Sequence, residues 1–185
     1  MIRQLTIASL AVSMFVGACD NKSTSNAASS TPTGSSAVEA KKAGPEKDAF
    51  FMGRKLAFSG AFELSGAKDK AGTALTEAQA FAKKLEVGTP SGSEDADIKL
   101  SAAEIKAKHG EKAEATFLFG YYLTDAWFGA ELGAKVDVPL ERAAKNAAAS
   151  GIPESVWKAK LDAIKAAPKS DAIAALAKDI EVYFK

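Results

Sequence analysis

Thr116–Leu132, TFLFGYYLTDAWFGAEL, decides the fold. Phe117, Leu118, Phe119, Tyr121, Tyr122, Leu123, Ala126, Trp127, Phe128 and Ala130 put apolar side chains on nearly every face of a helix. A helix that is apolar all round is normally buried among others at the centre of a bundle. Its helical span is predicted to run from Glu111 to about Gly133, with Gly110 ahead of it interrupting or ending the helix before. Outward from this stretch, alanine and lysine dominate, β-branched residues are sparse, and no segment alternates apolar with polar residues at period two. The sequence therefore predicts an all-α helical bundle.

Punctuation predicts about six helices over residues 46–185, a length sufficient for one domain with a sizeable core. The first runs from Glu46 to Leu64, and Gly66 with Gly72 brackets a loop. Thr76 with Gln79 reads as a capping box opening the second, which stops at Gly88-Thr89-Pro90. Ser91 to Asp97 reads as a polar, acidic loop, and Ser101 with Glu104 as a further capping box. Asp137 and Pro139 open the next helix, which Gly151 ends; Pro153-Glu154 opens another, closing near Pro168; the last begins after Ser170. Phe50, Gly53 and Leu56 recur as Phe117, Gly120 and Leu123, and Gly66-Ala67-Lys68 recurs as Gly133-Ala134-Lys135 at the same offset. Gly88-Thr89-Pro90 is matched to Gly151-Ile152-Pro153 at a shorter one. This repeat predicts two related helical units packed face to face, with Phe50–Leu64 and Phe117–Leu132 as central helices whose small residues allow close approach.

The amino terminus carries a different signal. Arg3 precedes an apolar run, Leu5 to Val16, which is too short to span a bilayer, and Val16-Gly17-Ala18 leads into Cys19, the only cysteine among 185 residues. Residues 1–18 have the layout of a secretory signal peptide, and Val16-Gly17-Ala18-Cys19 resembles the lipobox of bacterial lipoproteins. That resemblance implies cleavage before Cys19 and a diacylglyceryl group, with its palmitate-like chains, on the sulfur. Residues 19–45, rich in Ser, Thr, Asn, Ala and Gly, read as a flexible tether reaching roughly 25–30 Å from the membrane. A tether offers no packed surroundings for a buried structural thiol, nor the setting of a reactive one, so lipid attachment is the reading of Cys19. The bacterial cell envelope is the implied location, with the domain outside the cytoplasm; Asp20 resembles the enterobacterial inner-membrane retention signal. The Phe-x-x-Gly openings and Gly-x-Pro breaks further resemble helical bacterial lipoproteins without an assigned activity, a likeness that implies no site residues.

Charge and motifs bound the function. Without residues 1–18 the chain holds 23 basic and 23 acidic residues, so it lacks the basic footprint of a nucleic-acid binder. No glycine-flanked nucleophilic serine, phosphate loop or paired-histidine helix is present, and no catalytic residue, metal site or cofactor is expected. His109, the single histidine, reads as a solvated or helix-capping residue. Glu94, Asp95 and Asp97 lack the glycine and distant glutamate of a calcium loop. Asp125 stands in the middle of the apolar helix, where a buried carboxylate calls for a cation, and Arg54 and Arg142 are the two arginines that remain after processing. An ion pair from Asp125 to Arg54 or Arg142 is the structural expectation; a ligand site of Asp125, Tyr121, Tyr122 and Trp127 is the functional one. The expected function is a membrane-anchored, non-catalytic binding or scaffold module whose partners are the membrane, through Cys19, and envelope proteins. The alternative is a binder of a small apolar molecule or lipid between helices, and an enzyme of unknown class ranks third.

Overall fold

The computed structural model describes residues 44–185; residues 1–18, expected to be a signal peptide, and Cys19, Asp20 and the expected tether up to residue 43 lie outside the described residues. The described chain is an all-α bundle of seven helices: α1 (Pro45–Leu64), α2 (Lys68–Lys84), α3 (Asp95–His109), α4 (Glu111–Glu131), α5 (Asp137–Ala149), α6 (Glu154–Ala166) and α7 (Ser170–Tyr183). The count exceeds the expected six or so because Gly110 ends α3 outright and α4 begins at the next residue. None of the described helices is long and apolar enough to cross a membrane.

Two helices start earlier than their capping boxes predicted. α2 opens at Lys68 and runs through Gly72, so Thr76 lies mid-helix and its Oγ1 donates to the Gly72 carbonyl, 2.9 Å away, instead of capping. α3 opens at Asp95, which puts Asp95 and Asp97 in its first turn, where carboxylates meet the positive end of the helix dipole, and leaves Ser101 buried in its interior. Capping-box spacing competes here with helix propensity upstream, and burial of Ala71 and Ile98 extends both helices toward their N-termini.

α1 and α4 form the centre and run parallel. Their contacts step forward together: the Phe50 and Phe119 rings lie 6.0 Å apart, Arg54 Nε donates to Thr124 Oγ1 at 3.4 Å, and Phe58 sits edge-on to Trp127 at 5.6 Å. The closest approach is reciprocal. A Cβ on Gly53 would overlap the Phe117 carbonyl, and one on Gly120 would overlap the Phe50 carbonyl. The core repeats this exchange. Phe50, from the first half, is buried among Leu123, Leu140, Leu161, Ile173 and Ile180 of the second, while Phe117 is buried among Met52, Leu56, Leu85 and Ile105 of the first. Each phenyl group contributes about 1.5–3 kcal/mol by leaving water, so neither half keeps its full core without the other.

The repeat continues into the turns. α1 ends with Ala67 N–H donating to the Phe62 carbonyl and Gly66 N–H to that of Glu63; α4 ends with Ala134 N–H donating to the Gly129 carbonyl and Gly133 N–H to that of Ala130. Gly66 and Gly133 supply the left-handed backbone (φ 77° and 67°) that this helix stop requires. The next pair of turns corrects the sequence alignment. Gly151 (φ 76°) after α5 corresponds to Glu86 (φ 54°) after α2, whose flanking bonds from Leu85 N–H to Phe81 and from Ser150 N–H to Asn146 match; Gly88 is not its counterpart. Glu86 is exposed and holds a conformation that disfavours any Cβ. Glu86→Gly is therefore expected to stabilise the domain by about 1 kcal/mol, read as a higher denaturant midpoint at unchanged slope.

Candidate functional site

Small residues on α1 open a cleft beside α4. Ala57, Gly60 and Ala61 leave room for Tyr121, Asp125 and Phe128, which follow at helical spacing on one face of α4; Glu63 and Leu64 from the end of α1 and Ser93 and Glu94 from the loop before α3 complete the walls. The cavity is about 410 Å³ and open to solvent. Gly60 sets its narrow side, because a Cβ there would press on the Ser93 hydroxyl.

Three carboxylates line this cleft, and among the described residues Glu63, Glu94 and Asp125 make no ion pair. Asp125 is exposed at its rim, yet partial burial against the cleft walls raises its carboxyl above its ordinary value; the charge of Arg142 pulls in the opposite direction. Burial, helped by the negative charges of Asp125 and Asp95, pushes the Tyr121 phenol up to about 12, so it stays neutral and can donate a hydrogen bond. No three histidine, cysteine, aspartate or glutamate side chains converge as a metal cluster among the described residues. The arrangement is that of a negative rim with an aromatic wall, a setting that favours an organic cation.

The ion pair expected from the sequence is not formed. Arg54 faces α7 and pairs with Glu181, lies over the Phe50 and Phe58 rings at 5.9 and 5.5 Å, and its burial pulls its pKa down to about 10. Arg142 stacks on the Tyr122 ring at 5.3 Å. Helix α4 turns Asp125 away from Arg54, because Thr124, one residue earlier, occupies the face that meets it. Since the raised folded-state pKa of Asp125 means that its charge opposes folding, Asp125→Asn is expected to be more stable than the parent at pH 7. The difference should close as pH falls through the carboxylate range and the parent takes up its proton, as denaturant midpoints at several pH values would show.

The four residues expected to share a ligand site are divided among three places. Tyr121 and Asp125 share the cleft. Tyr122 faces the groove between α3 and α4 with Ile98, Ala102, Lys106 and Leu118, and Trp127 borders a pocket of about 170 Å³ with Arg54, Phe58, Thr124 and Ala177. Residues one and two apart on a helix face different neighbours, and a helix covered on all sides distributes them. Sequence reasoning missed Glu63, Ser93 and Phe128 as cleft residues and Glu181 as the partner of Arg54; Glu94 was noted only as part of an acidic loop. His109 does act as a cap, but on another helix: its Nε2 lies 2.7 Å from the Leu85 carbonyl oxygen, beside the contact from Lys108 to the Glu86 carbonyl.

In comparison with known proteins, no family model matches this chain, and no curated protein or solved structure matches it.

Proposed function

We propose that the chain is a bacterial envelope lipoprotein, anchored through a diacylglyceryl group on Cys19, whose helical domain is a non-catalytic binding module. Its binding face is the cleft between α1, α4 and the loop before α3, and its partner presents a basic, partly apolar segment, as a lysine- or arginine-bearing stretch of another envelope protein would. The reading rests above all on one observation: three carboxylates that make no ion pair among the described residues line a cleft walled by Tyr121, Phe128 and the exposed Leu64. The tether would carry this face to proteins near the membrane surface. The reading of Cys19 rests on the lipobox resemblance alone. A second reading, capture of a small apolar molecule, draws on the pocket beside Trp127, whose walls are mostly apolar.

A titration with a short Lys/Phe peptide, followed by amide NMR, tests the main reading. Shifts should cluster at Tyr121, Asp125 and Phe128, and the variant Glu63→Gln/Glu94→Gln/Asp125→Asn should bind about tenfold more weakly, from exposed charge contacts of roughly 0.2–1 kcal/mol each. Shifts scattered over the surface, or unchanged affinity in the variant, would refute the cleft. Shifts confined to Trp127 and Phe58 on adding an apolar compound would favour the second reading. Cys19→Ser should lack the acyl mass and leave the membrane fraction, and retention there would overturn the anchoring.

A further inference from the structure

The connection between α3 and α4 is a single residue. Gly110 has φ 87° and ψ 176°, a backbone conformation that essentially only glycine adopts, although no atom would touch a Cβ there. Around it, Lys106-Ala107-Lys108-His109 and Glu111-Lys112-Ala113-Glu114 are mostly good helix formers, so Gly110 is the single break in an otherwise helical run from Asp95 to Glu131. The folded-back arrangement is held near the hinge by Lys106 Nζ, 3.2 Å from Glu111 and 3.4 Å from Glu114. Further along, α3 covers α4 incompletely, leaving an open groove of about 580 Å³ between them. The two halves meet through the reciprocal Gly53 and Gly120 contacts, and the first-half core needs Phe117 while the second-half core needs Phe50.

We infer that a second copy of this chain is a binding partner through exchange of halves about Gly110. In the exchanged dimer, Asp95 to Glu131 runs as one helix, α1–α3 of each chain packs on α4–α7 of the other, and the contacts between the halves, that of Lys106 with Glu114 included, pass from within one chain to between two. Closed and exchanged forms share the same interfaces and differ in the conformation of one residue, which is the condition under which domain swapping is cheap. Glycine at position 110 is what favours the closed form.

Gly110→Ala in the full chain tests this, with mass measured by light scattering and Lys–carboxylate coupling by carbodiimide on mixed 15N-labelled and unlabelled chains that have been unfolded and refolded together. Most of the variant should elute at twice the single-chain mass with unchanged helix content, and the Lys106–Glu114 link should join labelled to unlabelled chains. A Gly110→Ala protein of single-chain mass, or a dimer whose Lys106–Glu114 link stays within one chain, would overturn the inference. Should the variant fail to fold, the parent chain refolded at high concentration decides: mixed-isotope Lys106–Glu114 links support exchange, and their absence refutes it. Inserting three glycines after Gly110 should abolish those links, and their persistence would also count against the hinge.

Discussion

Gly120→Ala is expected to cost the domain about 3 kcal/mol, a large share of the roughly 5–15 kcal/mol that holds an ordinary domain folded. Two effects of opposite sign compete. Alanine improves helix propensity by about 1 kcal/mol over glycine, but the new methyl group overlaps the Phe50 carbonyl and lies 3.1 Å from the Phe50 ring, where α1 and α4 are closest. A backbone carbonyl in the middle of a helix cannot rotate away as a side-chain end can, so the helices must separate, loosening Phe50 and Phe117 in their exchanged cores. Gly53→Ala should cost a similar amount, because its Cβ meets the Phe117 carbonyl and lies 3.0 Å from the Tyr121 amide nitrogen. The double variant should cost less than the two losses added, since the first substitution already separates the helices. Gly72→Ala is the control: it also lies inside a helix, with nothing within 4 Å of a Cβ, and should gain about 1 kcal/mol. Urea unfolding of the four variants checks the signs, and a stabilised Gly120→Ala protein would mean that the helices do not meet there.

Glu181→Ala is expected to cost about 2 kcal/mol. The Arg54 side chain is 16% exposed and that of Glu181 30%, so the substitution leaves a guanidinium mostly out of water, with the Thr124 hydroxyl at 3.4 Å and two phenyl faces as its remaining company. Removing one member of a buried pair costs more than the pair itself contributes, because the surviving charge keeps its desolvation penalty. The double variant Arg54→Met/Glu181→Leu should accordingly recover most of the loss, as thermal melts of the single and double variants would show. A single variant as stable as the parent would mean that solvent reaches Arg54 freely.

The two contacts differ in how far the chain's local sequence reveals them. The glycine at each helix crossing was legible, because Phe-x-x-Gly-x-x-Leu recurs at a fixed offset and a mid-helix glycine lowers helix stability unless something must come close. The partner of Arg54 was not. Asp125 looked like the natural choice on charge and hydrophobic context, but Glu181 reaches Arg54 from α7 across the bundle. The candidate cleft was half legible: Asp125 and Tyr121 were singled out, yet Glu63 and Glu94, unremarkable on an exposed helix end and a loop, join them only because α1, α4 and the approach to α3 converge. Glu86 leaves no mark of its turn in the sequence, because glycine ordinarily takes the left-handed backbone and here a glutamate adopts it.

The sequence by itself determined the all-helical class, most helix stops, the repeated central pair and the glycines on which its contact depends. These follow from short-range physics, namely propensity, periodicity and the backbone freedom of glycine, which act over a few residues and are written locally in the chain. Only the tertiary structure decided which face of α4 looks into which groove, which acid meets Arg54, and which carboxylates share a cleft. Those outcomes depend on the rotation of each helix about its axis, and that rotation is fixed by the packing of all seven helices together.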